Sequence, residues 1–403
     1  MNTLAKKVVV LDDDDRIAKL VIEAVHQVGF TGESANNFES FKEILSRNQP
    51  DLILIDLVMP KVDGILVLRY LASQNCTSNI LLMSGFDLKV VQTAERLGVS
   101  LGLSVEGVLS KPVPLSLLKS EIKRAANLND SISETDLRTV VANQEIDVHL
   151  QPKVRLSPPP SAGNKLADNV LGVEIGGTSY EVVGFEALAR WQLSDGSFVP
   201  PSIFIPMAEE IDLIQSLTDT VYQNVVQLLG KWNRLGYHLT AAINISPRLM
   251  GNLDLPDLLV ETAISEGVAT EQIILELTES ATMADADHIM EVLTRFRLKG
   301  FGLSIDDFGT GYSSLIQLYR MPFTEMKVDK SFVDDMKSSE EAQTIIRSIV
   351  NLGHNLGMKI CAEGVEDLPV GMALAELTCD YAQGYYYSRP QRAADFEALL
   401  NIT

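Results

Sequence analysis

Two adjacent carboxylates, Asp306 and Asp307, stand in SIDDFGTGYSSL at the end of an apolar run and ahead of a glycine-threonine-glycine turn. Polar groups recur in the same way near the ends of other short β-rich runs. They are Glu186 and Arg190 in EALARW, Asn244 in LTAAINIS, Glu276 and Glu279 in IILELTE, and Lys327 and Asp329 in EMKVDKSFV. Glu363 and Glu366 in KICAEGVE and Gln383 in YAQGYYYS complete the set. Side chains alternate across a strand, so Glu186 shares a face with Leu188 and Arg190, Glu276 with Thr278, and Lys327 with Asp329. If those faces point inward, one mouth collects carboxylates, an asparagine and a lysine. Carboxylates so gathered raise one another's pKa strongly unless cations sit among them. Oxygen donors suit magnesium or manganese rather than zinc, and the five histidines are scattered, with no HExxH run. Two such ions clamp the attacking and leaving oxygens of a phosphoryl displacement. Where the strand bends into its loop, Asp306 could bridge two ions while Asp307 binds one. Lys327 would stabilise charge or orient the water, and Glu363, beside Gly364, is the candidate general base.

Taken singly, each residue has a structural reading. Glu186 and Gln383 could be hydrogen-bonded barrel residues, Lys327 an ion-pair partner, Asn244 a turn-former, and Glu279 and Glu366 solvated or loop-holding. Joint placement at successive strand ends is what favours a site.

The elements that would position them are regular. With VHLQPKV the β-rich runs number eight over about 260 residues, nearly all followed by a helical pattern. That predicts a (β/α)8 barrel with its site at the C-terminal ends of the strands. Between VHLQPKV and EALARW, residues 157–169 (SPPPSAGNKLADN) read as a flexible insertion. VLGVEI, Gly176-Gly177 and TSYEVVG then read as a hairpin. Upstream, VVVL, DLILID, ILLMSG and GVLS alternate with amphipathic stretches, which predicts a parallel sheet covered by helices on both faces. The expected division is 1–128, a linker and leading helix over 129–145, and 146–403.

The first part carries its own constellation. Asp12 to Asp15 follow VVVL, Asp56 ends DLILID, Ser84 ends ILLMS and Lys111 follows GVLS. In a doubly wound sheet ligands gather at the carboxyl ends of strands. Three carboxylates would hold one magnesium ion, Asp56 would be a phosphoryl-accepting nucleophile, and Ser84 and Lys111 would receive phosphoryl oxygens.

Composition narrows the class. The net charge of -21 argues against nucleic-acid binding, which needs clustered lysine and arginine. Cys76, Cys361 and Cys379 form neither a short metal motif nor an even disulfide framework. MNTLAKKVVVLDDDD is no signal peptide, and no apolar run approaches the roughly 20 residues that span a bilayer. A cytoplasmic protein, binding neither DNA nor membrane, is expected.

GFEALARW, INISP, ELTES, SIDDFGTGYSSL, MKVDKSF, AEGVE and AQGYYYS together resemble the EAL-domain family of cyclic di-GMP phosphodiesterases, over about Glu134 to Thr403. The resemblance implies a modified (β/α)8, TIM-like barrel that hydrolyses cyclic di-GMP to linear pGpG with two magnesium or manganese ions. It implies metal ligation by Glu186, Asn244, Glu276, Asp306 and Asp307, with Lys327, Glu363 and Gln383 organising the water and the second metal. Gln151, Leu188 and Arg190 would contact substrate. Glu279 would hold the loop after Asp307 and Glu366 would lie near a dimer interface, a homodimer or higher assembly being the family expectation. Residues from about Lys7 to Leu128, with DLVMPKVDG and SKP, resemble the receiver domain of response regulators. This implies a (βα)5 flavodoxin-like fold, a magnesium ion at Asp12 and Asp13, phosphorylation of Asp56 by a sensor histidine kinase, and Ser84 and Lys111 as switch residues. Val108 occupies the position where that family usually carries an aromatic. GGDEF is absent, so nucleotide synthesis is not expected. The rival reading is a catalytically silent cyclic di-GMP receptor that signals through partners.

Overall fold

The computed structural model describes residues 6–402 other than 48, 61, 75, 86–87, 112, 128–132, 157–169, 194–195, 280–285, 310–314 and 338. The predicted insertion and most of the glycine-rich loop after Asp307 therefore lie outside the described residues. Contacts divide the chain into two units, Met1–Ser133 and Glu134–Thr403.

In the first unit β1 (Lys7–Leu11), β2 (Thr31–Ala35), β3 (Leu52–Asp56), β4 (Asn79–Ser84) and β5 (Val105–Ser110) form a parallel sheet in the order β2-β1-β3-β4-β5. β3 and β4 are buried at every position, as parallel strands covered on both faces are. Leu11, Ile53, Ile55 and Val67 fill one face and Val10, Leu52, Leu54 and Ile122 the other. β2, TGESA, lies at the edge and buries only Ala35, so it has none of the apolar pattern that marks its neighbours. The acidic run after β1 divides its labour. Asp14 caps helix Asp15–Gln27 by accepting from the Arg16 N–H, and Asp15 lies in the first turn, where the helix dipole favours a negative charge. Asp12 and Asp13 are left at the strand end.

In the second unit β6 (Asp147–Arg155), β7 (Gly172–Ile175), β8 (Thr178–Gln192), β9 (Phe198–Val199) and β10 (Thr240–Asn244) are followed by β11 (Ile273–Thr278) and β12 (Gly302–Phe308). β13 (Glu325–Val328), β14 (Lys359–Ala362), β15 (Tyr381–Ala382) and β16 (Gln391–Arg392) complete the set. β8 and β10 to β15 pair in parallel succession, and β6 closes the barrel by pairing with both β8 and β15. The eight predicted runs are thus the eight barrel strands. A regular (β/α)8 barrel is parallel throughout, however, and here β6 is antiparallel to both neighbours. The predicted hairpin is present, with Gly176 and Gly177 at φ 58° and 81° between β7 and β8, as a type I′ turn requires. β8 then continues without a break through EALARW, so its second half is a barrel strand. Outward-facing Phe185 packs with Trp232 and Phe396 at ring centroid distances of 5.5 and 5.6 Å, joining the barrel wall to helices Ile214–Arg234 and Ala393–Leu400.

Candidate functional site

A single buried lysine organises the barrel mouth. Lys327, on β13, places Nζ 2.6 Å from Glu363, 3.1 Å from Glu276, 3.2 Å from Glu186 and 3.5 Å from Asp306. Glu186 lies on β8, Glu276 on β11, Asp306 on β12, and Glu363 directly after β14. Gln383 donates from Nε2 to Glu186 at 2.6 Å and to Glu363 at 2.9 Å. Asn244 donates from Nδ2 to Glu186 at 3.0 Å and to Glu276 at 3.4 Å.

Burial disfavours the charged form of Lys327, but the surrounding carboxylates hold its pKa well above the ordinary value. Burial likewise opposes ionisation of Glu186, yet Lys327, Gln383 and Asn244 together bring it below the usual carboxylate value. Glu276 differs. Burial pushes it well above that value, Glu186 and Asp306 add to the rise, and its Oε1 has no hydrogen-bond partner among the described residues.

The adjacent aspartates share the site through a break in strand geometry. The pairing of β12 with β13 shifts register between Ile305 and Phe308, and Asp307 adopts φ 55°. In a regular strand successive side chains oppose one another. The bulge and the left-handed residue let both point to the mouth. Carboxylate oxygens of Asp306, Asp307 and Glu363 all lie within 4.8 Å of one another. This all-oxygen donor set, with Glu186, Glu276 and Asn244 alongside, fits a hard divalent cation. Gly309, two residues on, has φ 97°, and a Cβ there would come 2.9 Å from the Phe332 ring. Its N–H donates to buried Glu279 Oε2 at 2.8 Å, so Glu279 fixes the start of the loop.

A pocket of about 230 Å³ opens at this mouth, lined by Gln151, Glu186, Leu188, Asp306, Glu363 and Gln383 together with Lys330, Gly364, Glu366, Gly384 and Tyr385. The antiparallel β6 explains the place of Gln151, which stands in register with Glu186. Arg190 is half-buried on the same inward face of β8, with Nη1 on the Ala189 carbonyl at 2.9 Å. Lys330 and Tyr385 were not singled out by the sequence reading. Lys330 pairs with Glu366 at 2.7 Å, and the Arg389 guanidinium stands 4.2 Å from the Tyr385 ring. Both residues follow a recognised site residue within three positions, which was the available signal. Gly364, with φ 70°, leaves room for Lys330, whose side chain would lie 2.3 Å from a Cβ.

The carboxyl shifts predict a pH dependence. Burial, with Asp306 and Asp329, pushes Asp307 up to about 6, and burial, against Lys327, pushes Glu363 up to about 8. The ordinary values are 3.8 and 4.5, so over this range the folded metal-free protein holds protons that the unfolded chain has lost. Stability therefore falls as pH rises through the interval. Thermal unfolding with a chelator is expected to show a smaller fall from pH 5 to 8 in Asp307→Asn than in the wild type. An equal fall contradicts the assignment.

The first unit has a second cluster. Asp12, Asp13 and Asp56 place carboxylate oxygens within 4.8 Å of one another. Lys111 Nζ stands 2.7 Å from Asp12 and 2.8 Å from Asp56. Burial disfavours the Lys111 charge, but the two aspartates outweigh it and raise its pKa. Ser84 is buried at the end of β4, and Val108 packs half-buried against one hydrophobic face of the sheet.

Comparison with known proteins finds one family in each unit. The response regulator receiver domain family matches residues 8–123, and the EAL domain family matches residues 177–390. The cyclic di-GMP phosphodiesterase RocR of Pseudomonas aeruginosa is 28% identical over 408 residues, 98% of each chain. The signaling protein YkoW of Bacillus subtilis is 33% identical over 278 residues, 69% of this chain but 32% of that protein. A solved structure titled PaMucR phosphodiesterase, c-di-GMP complex, is 32% identical with a TM-score of 0.57, covering 65% of this chain and 98% of that one. The chain spans nearly the whole of RocR and about a third of YkoW. The barrel and its acidic mouth, together with the family match, make this chain a member of the EAL-domain family, with a receiver domain preceding the barrel in the sequence.

Proposed function

We propose that the protein is a response regulator whose EAL domain hydrolyses cyclic di-GMP to linear pGpG, using two magnesium or manganese ions. The observation that carries this reading is the intact ring of Glu186, Glu276, Asp306 and Glu363 around Lys327, with Asp307 turned into it. A silent receptor has no need of that complete set. The similarity to RocR over nearly all of both chains supports the same combination of input and output.

Glu186, Asn244, Glu276, Asp306 and Asp307 hold the ions. Bound there, divalent ions lower the pKa of water and neutralise charge on the phosphodiester. Glu363 takes the proton of the attacking water at its carboxylate. Lys327 fixes Glu363 Oε1 at 2.6 Å, and Gln383 donates to the same oxygen at 2.9 Å. Arg190 meets a substrate phosphate, a role that its forked donors suit, while Leu188 and Gln151 line the nucleotide. Glu279 steadies the loop after Asp307, and Glu366 belongs to the coupling between loop and dimer partner.

In the receiver, Asp12 and Asp13 hold one magnesium ion and Asp56 accepts the phosphoryl group from a sensor histidine kinase. Ser84 and Lys111 bind its oxygens. Lys111 already bridges Asp12 and Asp56, which suits it to follow the new charge. Asp56→Asn is expected to abolish labelling by acetyl phosphate in the presence of magnesium, read by mass spectrometry of the intact chain. Undiminished labelling assigns the phosphoacceptor elsewhere. A cytoplasmic location and a homodimer complete the proposal. No helix among the described residues is long and apolar enough to cross a membrane.

The activity itself is tested by incubating the protein with cyclic di-GMP and magnesium and resolving the nucleotides by chromatography. Appearance of pGpG supports the reading, and tight binding without product replaces it with the receptor.

A further inference from the structure

The barrel interior below the mouth contains a second ion pair. Lys153, on β6, reaches across the lumen to Glu325, on β13, with Nζ 2.9 Å from both carboxylate oxygens. Both residues are almost wholly buried, at 2% and 3% exposure. An internal ion pair contributes little to stability, because desolvation of the two charges offsets their attraction. Its presence calls for another account.

Register supplies one. Glu276 stands beside Ser304, and Ser304 beside Glu325, at one level on three neighbouring strands. Two buried side-chain atoms at this level, Glu276 Oε1 and Ser304 Oγ, have no hydrogen-bond partner among the described residues. Buried polar atoms of this kind are satisfied by protein groups or by trapped water. An ammonium has three donors, and Glu325 takes two of those on Lys153.

We infer that the Lys153–Glu325 pair is a positioning element for the metal centre: Lys153 holds the lower oxygen of Glu276 from inside the barrel, through a buried water shared with Ser304. Lys327 grips Glu276 Oε2 from the level above. With both oxygens held, the carboxylate keeps one orientation toward the mouth. Loss of a group that orients a metal ligand from behind typically weakens metal binding roughly 10–100-fold.

The inference rests on the metal-dependent reading of the mouth, so its test reads Mn²⁺ binding rather than turnover alone. Lys153→Met combined with Glu325→Met replaces the pair by apolar side chains, a change that buried ion pairs tolerate. The full chain carrying both substitutions is expected to melt cooperatively and to bind Mn²⁺ roughly 10–100-fold more weakly by titration calorimetry. Its turnover should recover as Mn²⁺ is raised, which a loss of structure would not allow. Ser304→Ala, a small truncation that keeps the ion pair, is expected to weaken Mn²⁺ binding by a smaller factor. Wild-type Mn²⁺ affinity in either folded variant overturns the inference. A wild-type chain that binds Mn²⁺ but hydrolyses nothing overturns the proposed activity instead.

Discussion

Glu363→Gln is expected to lower turnover of cyclic di-GMP by roughly 10²–10⁴-fold, the range lost with a general base. The substitution keeps the size of the side chain and removes its ability to accept a proton. Burial, against Lys327, pushes the pKa of Glu363 up to about 8 in the metal-free protein, so its carboxylate form is a stronger proton acceptor than an ordinary glutamate. Its two fixed contacts, Lys327 at 2.6 Å and Gln383 at 2.9 Å, hold one oxygen and define its direction. Nucleotide affinity, measured by calorimetry on the slow variant, is expected to remain within about threefold of the wild type, since uniform binding and transition-state stabilisation are separable. Wild-type turnover in Glu363→Gln removes the residue from the base role.

The second large effect belongs to Lys327. Lys327→Met takes away the cation that faces Glu186, Glu276, Asp306 and Glu363, leaving a buried group of carboxylates to repel one another. Removing one partner from a buried charge cluster typically costs about 3–5 kcal/mol. The metal-free variant is therefore expected to melt well below the wild type. Added Mn²⁺ should raise the melting temperature of the variant more than that of the wild type, because the ions then supply the compensating charge that Lys327 no longer provides. Turnover should be lost in either case. Equal melting of the two chelated proteins would mean that the carboxylates in the variant are protonated at no cost, contrary to the depressed pKa of Glu186.

The barrel was legible because its strands are apolar runs interrupted by groups that a core excludes. Glu276 in IILELT and Lys327 in EMKV stand out for that reason, and reading each run to its end gathered residues that the fold brings together. Direction was not legible. Apolar alternation in VHLQPKV is the same whichever way the strand runs, and only the pairing shows β6 to be antiparallel. β2 carries no apolar signal because it is an exposed edge. The Lys153–Glu325 pair joins residues 172 positions apart, and neither partner is distinctive alone. The two aspartates of SIDDFG could be placed in one site from sequence, but the device that turns both inward, a register shift with Asp307 at φ 55°, belongs to the backbone.

The central claim is that the acidic mouth is a metal-dependent phosphodiesterase site. It is tested most directly by incubating the purified full chain with cyclic di-GMP and Mg²⁺ or Mn²⁺, with and without a chelator, and resolving the nucleotides by chromatography. The account predicts conversion to linear pGpG that stops when the metal is chelated. Cyclic di-GMP recovered intact from a protein that binds it in the presence of metal would contradict it.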